Sequence, residues 1–393
     1  MECYLDNAAT TRPSEAVIEV MEKAMREEYG NPSSLHNKGF EAEKLVENAR
    51  SAIAKTLKAK PKEILFTSGG TESNNQALIG GAYTKRRRGK HIISTCFEHA
   101  SVYQPTEFLR KEGWEVTYLP VDSLGHVKEE ALIEALTPDT VILSVMLVNN
   151  EVGSIVDVAR LAKIAREKCP EILVHVDAIQ AYGKLNINPS KMGIDLMSAS
   201  GHKIHGPKGS GFLYIRDGIN MVPFVRGGGQ QRDLRSGTEN VPAYAGFGKA
   251  AEDAYTDHEK KIGDMYALKQ RFIAEVQKAV PQCIVNAIDK IKPLSEAVNE
   301  TAPHVASVSF PGTRAEVMLH ALEAKGIYVS SGSACSSNHP ALSGTLKAIG
   351  VREDLLDSTL RFSFGLFTTA EMIDYTVEVL GELVPELSKY KRG

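Results

Sequence analysis

Lys203 follows the apolar run Leu196-Met197-Ser198-Ala199 and sits in the tetrad Ser200-Gly201-His202-Lys203. Glycines at 201, 206 and 209 let the backbone turn and approach a ligand closely. A lysine at a strand end, among hydroxyl and imidazole donors suited to a phosphate, can act as a Schiff-base residue. A solitary lysine is ordinarily a solvated surface charge, but this one has company. Val174-His175-Val176-Asp177-Ala178-Ile179-Gln180 reads as a buried strand ending in a carboxylate. Held against a ring nitrogen, that carboxylate would keep the ring protonated and able to accept the electrons of a broken Cα–H bond. The competing role for Asp177, a helix N-cap, leaves the hydrophobic strand leading into it unexplained.

Four further stretches carry side chains of chemical interest. Thr67-Ser68-Gly69-Gly70-Thr71-Glu72-Ser73 follows a strand and opens a helix, where backbone N–H groups and the helix dipole attract a phosphate; such turns are also common as plain N-caps. Glu98-His99-Ala100-Ser101 and Val148-Asn149-Asn150-Glu151 each follow a strand. Taken alone, His99 is a structural hydrogen-bonder and the paired asparagines are a turn signal. Arg361 lies in the apolar strand Leu360–Phe364, where an unpaired guanidinium is costly, so a bidentate carboxylate partner is expected. That partner is either a substrate or a structural acid. Gly201 to Lys208 imitates a nucleotide P-loop, but Pro207 stands where its lysine belongs.

Cys335 differs from the other thiols. Its setting, Ser330-Ser331-Gly332-Ser333-Ala334-Cys335-Ser336-Ser337, is too polar and small for a core and predicts an exposed loop tip. The stretch onward to Ser343-Gly344 is long enough for the thiol to travel. Cys96, Cys169 and Cys283 read as inert buried hydrophobes.

In this order, Asp177 with Gln180, then Ser200 to Lys203, then Ser330 to Ser337, resemble the class V branch of fold-type I pyridoxal 5'-phosphate (PLP) enzymes. Within that branch they resemble the cysteine desulfurases of the nitrogen-fixation and iron–sulfur-cluster type. The resemblance extends from Tyr4-Leu5-Asp6-Asn7-Ala8-Ala9-Thr10-Thr11 to the C-terminal helix. It implies a cofactor held by Gly70, Thr71, Asn150, Asp177, Gln180, Ser200, His202 and Lys203, with His99 over the ring face. It implies that Gln180 bonds the ring's phenolic oxygen and that Asn150 and Arg361 hold the carboxylate of L-cysteine. Arg235-Ser236-Gly237-Thr238 resembles the segment that crosses a homodimer interface, so Thr238 would reach the partner's cofactor phosphate. The implied reaction converts L-cysteine to L-alanine, leaving a persulfide on Cys335 for an acceptor protein, either a cluster scaffold or a sulfur carrier. Selenocysteine lyase and class V aminotransferase share the fold; the serine-rich cysteine segment argues against the second. A catalytically silent sulfur-transfer binding protein is disfavoured by intact Lys203, Asp177, His99 and Cys335.

Composition narrows the field from the other side. The chain has 393 residues, 42% hydrophobic and 24% charged, with net charge −3. That predicts a globular, two-domain protein without general attraction to nucleic acid or anionic membrane. The run Lys85-Arg86-Arg87-Arg88-Gly89-Lys90 lacks interleaved aromatics and reads as a solvated loop. No signal peptide or membrane-length apolar run is visible. Five scattered cysteines without a C-x-x-C pair argue against a disulfide framework and a zinc site, and for reducing cytosol.

The elements that must position these residues follow from periodicity. Ala42, Leu45, Val46, Ala49, Ile53 and Leu57 predict an amphipathic helix over 41–57. Strands are then expected at 64–67, 91–96, 116–119, 141–148, 172–176, 195–199 and 212–215, with helices between. Such alternation predicts an α/β fold with a mostly parallel sheet and ligands at its carboxyl edge. A nearly unbroken helix is expected from Ala243 to Val280, bridging to a compact α+β unit. The expected division is a large PLP-binding domain, 15–258, and a small domain of 1–14 and 259–393 that carries the Cys335 loop. The return of the first dozen residues to the small domain is implied by the resemblance alone.

Overall fold

The computed structural model describes residues 1–331 and 342–389 of the chain. Its strands in chain order are β1 Cys3–Tyr4, β2 Ile64–Thr67, β3 His91–Thr95, β4 Glu115–Leu119, β5 Thr140–Met146 and β6 Leu173–Asp177. They continue with β7 Leu196–Ser200, β8 Gly211–Ile215, β9 Ile284–Val285, β10 Val305–Ser309, β11 Ile327–Tyr328 and β12 Thr359–Ser363.

Among the described residues, seven strands form one sheet in the order β2-β8-β7-β6-β5-β3-β4. Only β8 runs against the rest: it pairs antiparallel with both β2 and β7, while the other neighbours are parallel. β2, β3, β5, β6 and β7 therefore all end at one edge, where an open α/β sheet places its ligands. The opposite edge is tied by Asp195, which accepts from Val174 N–H at 2.8 Å and pairs with Arg166 and Arg216, each at 2.7 Å. β5, β6, β7 and β8 are buried at every position, as expected of strands covered on both faces.

The helix Asn37–Thr56 buries Ala42, Val46, Ala49 and Ile53, the stripe its spacing predicts. It packs on the helix Val241–Tyr255, and the approach is close because position 248 is glycine: a Cβ there would stand 2.6 Å from Ala49 Cα. Burying a side chain such as Ile53 stabilises the pair by roughly 1.5–3 kcal/mol. A separate apolar cluster gathers Leu5, Phe272, Val308, Phe310, Phe362 and Leu380 around the three-stranded sheet β12-β10-β9. The N-terminal segment joins it: β1 pairs parallel with β11, and Asp6 bridges to Ser363.

One expected element is two. The helix predicted across Ala243–Val280 stops at Tyr255 and restarts at His258. Thr256 is extended and Asp257 is left-handed, with φ 49°. Neither residue is Pro or Gly, so periodicity gave no warning. The break redirects the chain from the large sheet toward the smaller one. Helix Glu15–Arg26, capped by Ser14, and the two-residue strands β1 and β9 were also beyond pattern reading. The basic stretch forms the expected loop, with Arg88 paired to Glu171.

Candidate active site

Each candidate group stands just beyond the end of a different parallel strand. After β2, Gly69 has φ 151°, a conformation that favours glycine, and the helix Gly70–Asn75 begins at the next residue. The helical path continues through a π-turn, Gln76–Gly80, to Lys85. After β3 come Glu98 and His99; after β5, Asn149 and Asn150; at the end of β6, Asp177; after β7, Ser200, His202 and Lys203. A cavity of about 780 Å³ opens beside this edge, with Thr71, His99, Ser101 and Arg226 among its walls.

Asp177 and His99 are linked through Asn74 and Ser101, neither of which the sequence reading gave a role. Asn74 Nδ2 donates to Asp177 Oδ2 and to Ser101 Oγ, both at 2.8 Å. The Ser101 hydroxyl lies 2.8 Å from His99 Nδ1, which also accepts the Ser101 N–H at 3.1 Å. His99 thus caps the helix Ala100–Lys111 with Nδ1 as acceptor, so in the neutral ring Nε2 carries the hydrogen. Burial pushes the Asp177 carboxyl above its ordinary value, opposed by the Ile179 N–H, the nearby His99 charge, Asn74 and Lys203. The Ile179 N–H donates to Oδ1 at 2.9 Å, so Asp177 also organises the turn that follows it.

Lys203 Nζ donates to Ala8 O at 2.6 Å and Ala9 O at 2.7 Å, bringing the N-terminal segment against the site. Its own carbonyl accepts from the ammonium of Lys184, a buried group that burial and the Lys203 charge push down to about 7. His202 contacts Thr10 Oγ1 at 3.2 Å; burial and the cations Lys203, Lys208 and Lys184 hold it down to about 4. Gln180 is buried, donating to Ala8 O and facing His304. Ser200 Oγ donates to Ser210 O at 3.4 Å.

Of the two roles weighed for Arg361, the structure contains the structural one. Its Nη2 pairs with Asp6 at 2.8 Å and Nη1 donates to Asn150 O at 2.8 Å, so the structural ion pair is present. Its Nε is buried and makes no hydrogen bond among the described residues. Asn149 makes the turn, accepting Glu151 and Val152 N–H on its Oδ1. Asn150 is only half-buried beside Arg361.

Thr238 is exposed, and no hydrogen bond ties it to the other candidates among the described residues. Its loop is anchored at two points. Arg235 pairs with Glu72 at 2.8 Å, and buried Gln231 accepts from Arg50 at 3.1 Å. Cys335 lies outside the described residues. The flanks of its segment are described, and both reach the site: Ser330 exchanges backbone hydrogen bonds with Arg361, and Ser343 and Thr345 donate to half-buried Glu151.

The match to a family model, described as Aminotransferase class-V, covers residues 3–376. The chain belongs to that family. Over 394 residues it is 43% identical to a protein named Cysteine desulfurase IscS from Dictyoglomus turgidum, spanning 100% of this chain and 97% of the relative. A solved structure titled NifS-like protein superimposes with a TM-score of 0.90 at 38% identity, covering 98% of this chain and 100% of that one. Another, titled SspA in complex with cysteine, gives a TM-score of 0.79 at 32% identity, over 93% of this chain and 100% of that one.

Asn74, Ser101, Glu98, Glu151 and His304 escaped sequence reading. Asn74 had one faint signal: it lies a helical turn beyond Gly70, on the face that Gly70 presents. Glu98 had none. Its Oε1 accepts from Thr95 and from Met146 N–H, while its Oε2 is buried without a hydrogen-bond partner.

Burial, with Asp177 nearby, pushes the Glu98 carboxyl up from 4.5 to about 8. A carboxyl raised in the folded state binds more protons there than when unfolded. Its contribution to stability is therefore complete below its unfolded value and is lost as pH rises through its folded value. Glu98→Gln keeps the acceptor and removes the titration. Relative to the parent it should gain stability as pH climbs from roughly 5 to 9, by about 2–4 kcal/mol. Denaturant unfolding across that range checks this; a difference that does not change with pH would refute it.

Proposed function

We propose that this chain is a PLP-dependent cysteine desulfurase, and that the convergence of Lys203 and Asp177 at adjacent strand ends, beside His99, is the observation that carries the reading. The donor set fits the group. Asp177 is a buried carboxylate with neutral amide partners, so a protonated ring nitrogen would complete its neutralisation. Gly70 and Thr71 at the helix start, with Ser200 and His202, would hold the phosphate, and Lys203 would tether the ring. When bound, PLP supplies the electron sink for the carbanion formed at the substrate Cα.

The chain's own residues do the rest. Arg361 Nε and the half-buried Asn150 side chain bind the L-cysteine carboxylate. Lys203, once its amine is free, removes the Cα proton, and His99 exchanges a proton across the ring face. The Cys335 thiolate attacks the substrate sulfur. An S–S bond forms and the Cβ–Sγ bond breaks, its electron pair staying on carbon. That carbon takes a proton to become the methyl of L-alanine, and Cys335 is left as a persulfide. The described flanks of the Cys335 segment support this role, since they are tied to Arg361 and to Glu151, the neighbour of Asn150.

The working unit is a C2 homodimer in which exposed Thr238 reaches the partner's phosphate. Residues 15–258 form the PLP-binding domain, and 1–14 with 259–393 form the small domain. The persulfide passes to a cluster scaffold or sulfur-carrier protein. Free thiols at Cys3, Cys96, Cys169 and Cys283 suit reducing cytosol. No helix among the described residues is long and apolar enough to cross a membrane.

Incubating the purified protein with L-cysteine and no reductant tests the reading. One extra sulfur atom on the peptide containing Cys335, with L-alanine formed alongside, is the expected mass-spectrometric result. Sulfide release without alanine would overturn it.

A further inference from the structure

Gln180 stands three residues beyond Asp177, and its amide has one accepting and one donating end. Its Nε2 donates to Ala8 O at 2.9 Å, the carbonyl that also takes Lys203 Nζ. A carbonyl only accepts, so the NH₂ end must face Ala8 and Oε1 must face the other way. There it meets His304 Nε2 at 3.0 Å. Facing an acceptor, that nitrogen has to carry the hydrogen.

His304 is almost fully buried, and among the described residues its Nδ1 has no hydrogen-bond partner. Burial, reinforced by the cations Lys184, Lys269, Arg361 and Lys203, holds it neutral, well below its ordinary value. A buried orphaned acceptor is unfavourable, and an apolar residue at 304 would avoid it. The imidazole makes sense through the one N–H it spends on Gln180. His304 immediately precedes β10, and its carbonyl accepts from Phe364 N–H at 2.9 Å, so the bond reaches from the smaller sheet to the turn after β6.

We propose that His304 is a positioning residue that, together with Ala8 O, holds the Gln180 amide in one orientation and so presents its NH₂ end to the cofactor's phenolic oxygen. The inference rests on the PLP reading and deepens it. Without His304, Oε1 loses its donor and Ala8 O alone holds the amide, so the NH₂ end is less firmly presented to the oxygen that needs a donor.

The test reads the visible absorbance of the PLP-loaded protein as a function of pH. A donor on the phenolic oxygen draws electron density from the nitrogen titrating beside it, so losing the donor raises the midpoint. His304→Leu should increase the proton-binding constant by about threefold to tenfold. The double variant with Gln180→Leu should go no further than Gln180→Leu alone. His304→Gln, which can donate to the same Oε1, should return to within about twofold of the parent. A parental midpoint in His304→Leu, or a shift that adds to that of Gln180→Leu, overturns the proposal. ¹⁵N resonances of histidine-labelled parent protein decide the tautomer even if the leucine variant does not fold: Nε2–H is expected, and Nδ1–H overturns the proposal. A parent that takes up PLP with no visible band sinks the cofactor reading itself, a result distinct from an unmoved midpoint.

Discussion

Lys203→Ala is expected to give a folded protein that loses its yellow colour on desalting and makes L-alanine from L-cysteine at least about a thousandfold more slowly. The side chain holds both the tether and the base of the proposed reaction, so its loss removes two contributions at once. Its structural contribution is modest by comparison. The contacts given up include those to Ala8 O and Ala9 O, worth about 1 kcal/mol each. Both carbonyls lie in a segment that is also held by Ser363, whose Oγ accepts Ala8 N–H at 2.8 Å. Another amine close by is Lys184, which burial makes less basic than an ordinary lysine. It is spent on the carbonyl of residue 203, a backbone bond that survives the substitution, so it is not expected to take over the tether. Visible absorbance after desalting and alanine production measured together check the prediction. A variant that stays yellow and turns over at the parental rate would refute it.

The contrast between Lys203 and His304 shows where reading the chain succeeds. Strand ends are legible because β-branched and aliphatic runs stop at polar residues, and a parallel sheet gathers those stops along one edge. Asp177 and Lys203 stand out in this way, whereas His99 and Asn150 also follow strands but, taken alone, read as a structural hydrogen-bonder and a turn. Their partners do not stand out. Asn74 reaches Asp177 across 103 positions and His304 reaches Gln180 across 124, so neither pairing leaves a local pattern. Arg361 is the intermediate case: its apolar strand demanded a carboxylate, but Asp6 is 355 positions away and only the folded chain identifies it. The break at Asp257 was hidden for a different reason. A left-handed aspartate is tolerated where tertiary packing imposes a turn, and helix propensity on both sides conceals it.

Cys335→Ala should leave the visible band of the PLP-loaded protein unchanged while L-alanine formation falls at least roughly a thousandfold and no persulfide accumulates. The argument is one of exclusion by chemistry. Attack on sulfur needs a thiolate, and every described cysteine is poorly placed to supply one. Burial pushes the thiols of Cys3, Cys169 and Cys283 up, the last to about 11, and all three are enclosed in apolar clusters. Cys96 is the exposed exception and follows β3 at the edge where the site lies. Its thiol is nonetheless pushed up, chiefly by desolvation, with the nearby Glu98 adding to the effect. Cys96→Ala should therefore turn over at the parental rate, and the pair of variants separates an intrinsic nucleophile from a bystander. Substrate binding is assigned to other residues, so adding L-cysteine to the Cys335→Ala protein should still perturb the visible spectrum. If that protein makes alanine as fast as the parent, sulfur leaves by some route other than a Cys335 persulfide; if Cys96→Ala is the silent variant instead, the nucleophile has been assigned to the wrong strand end.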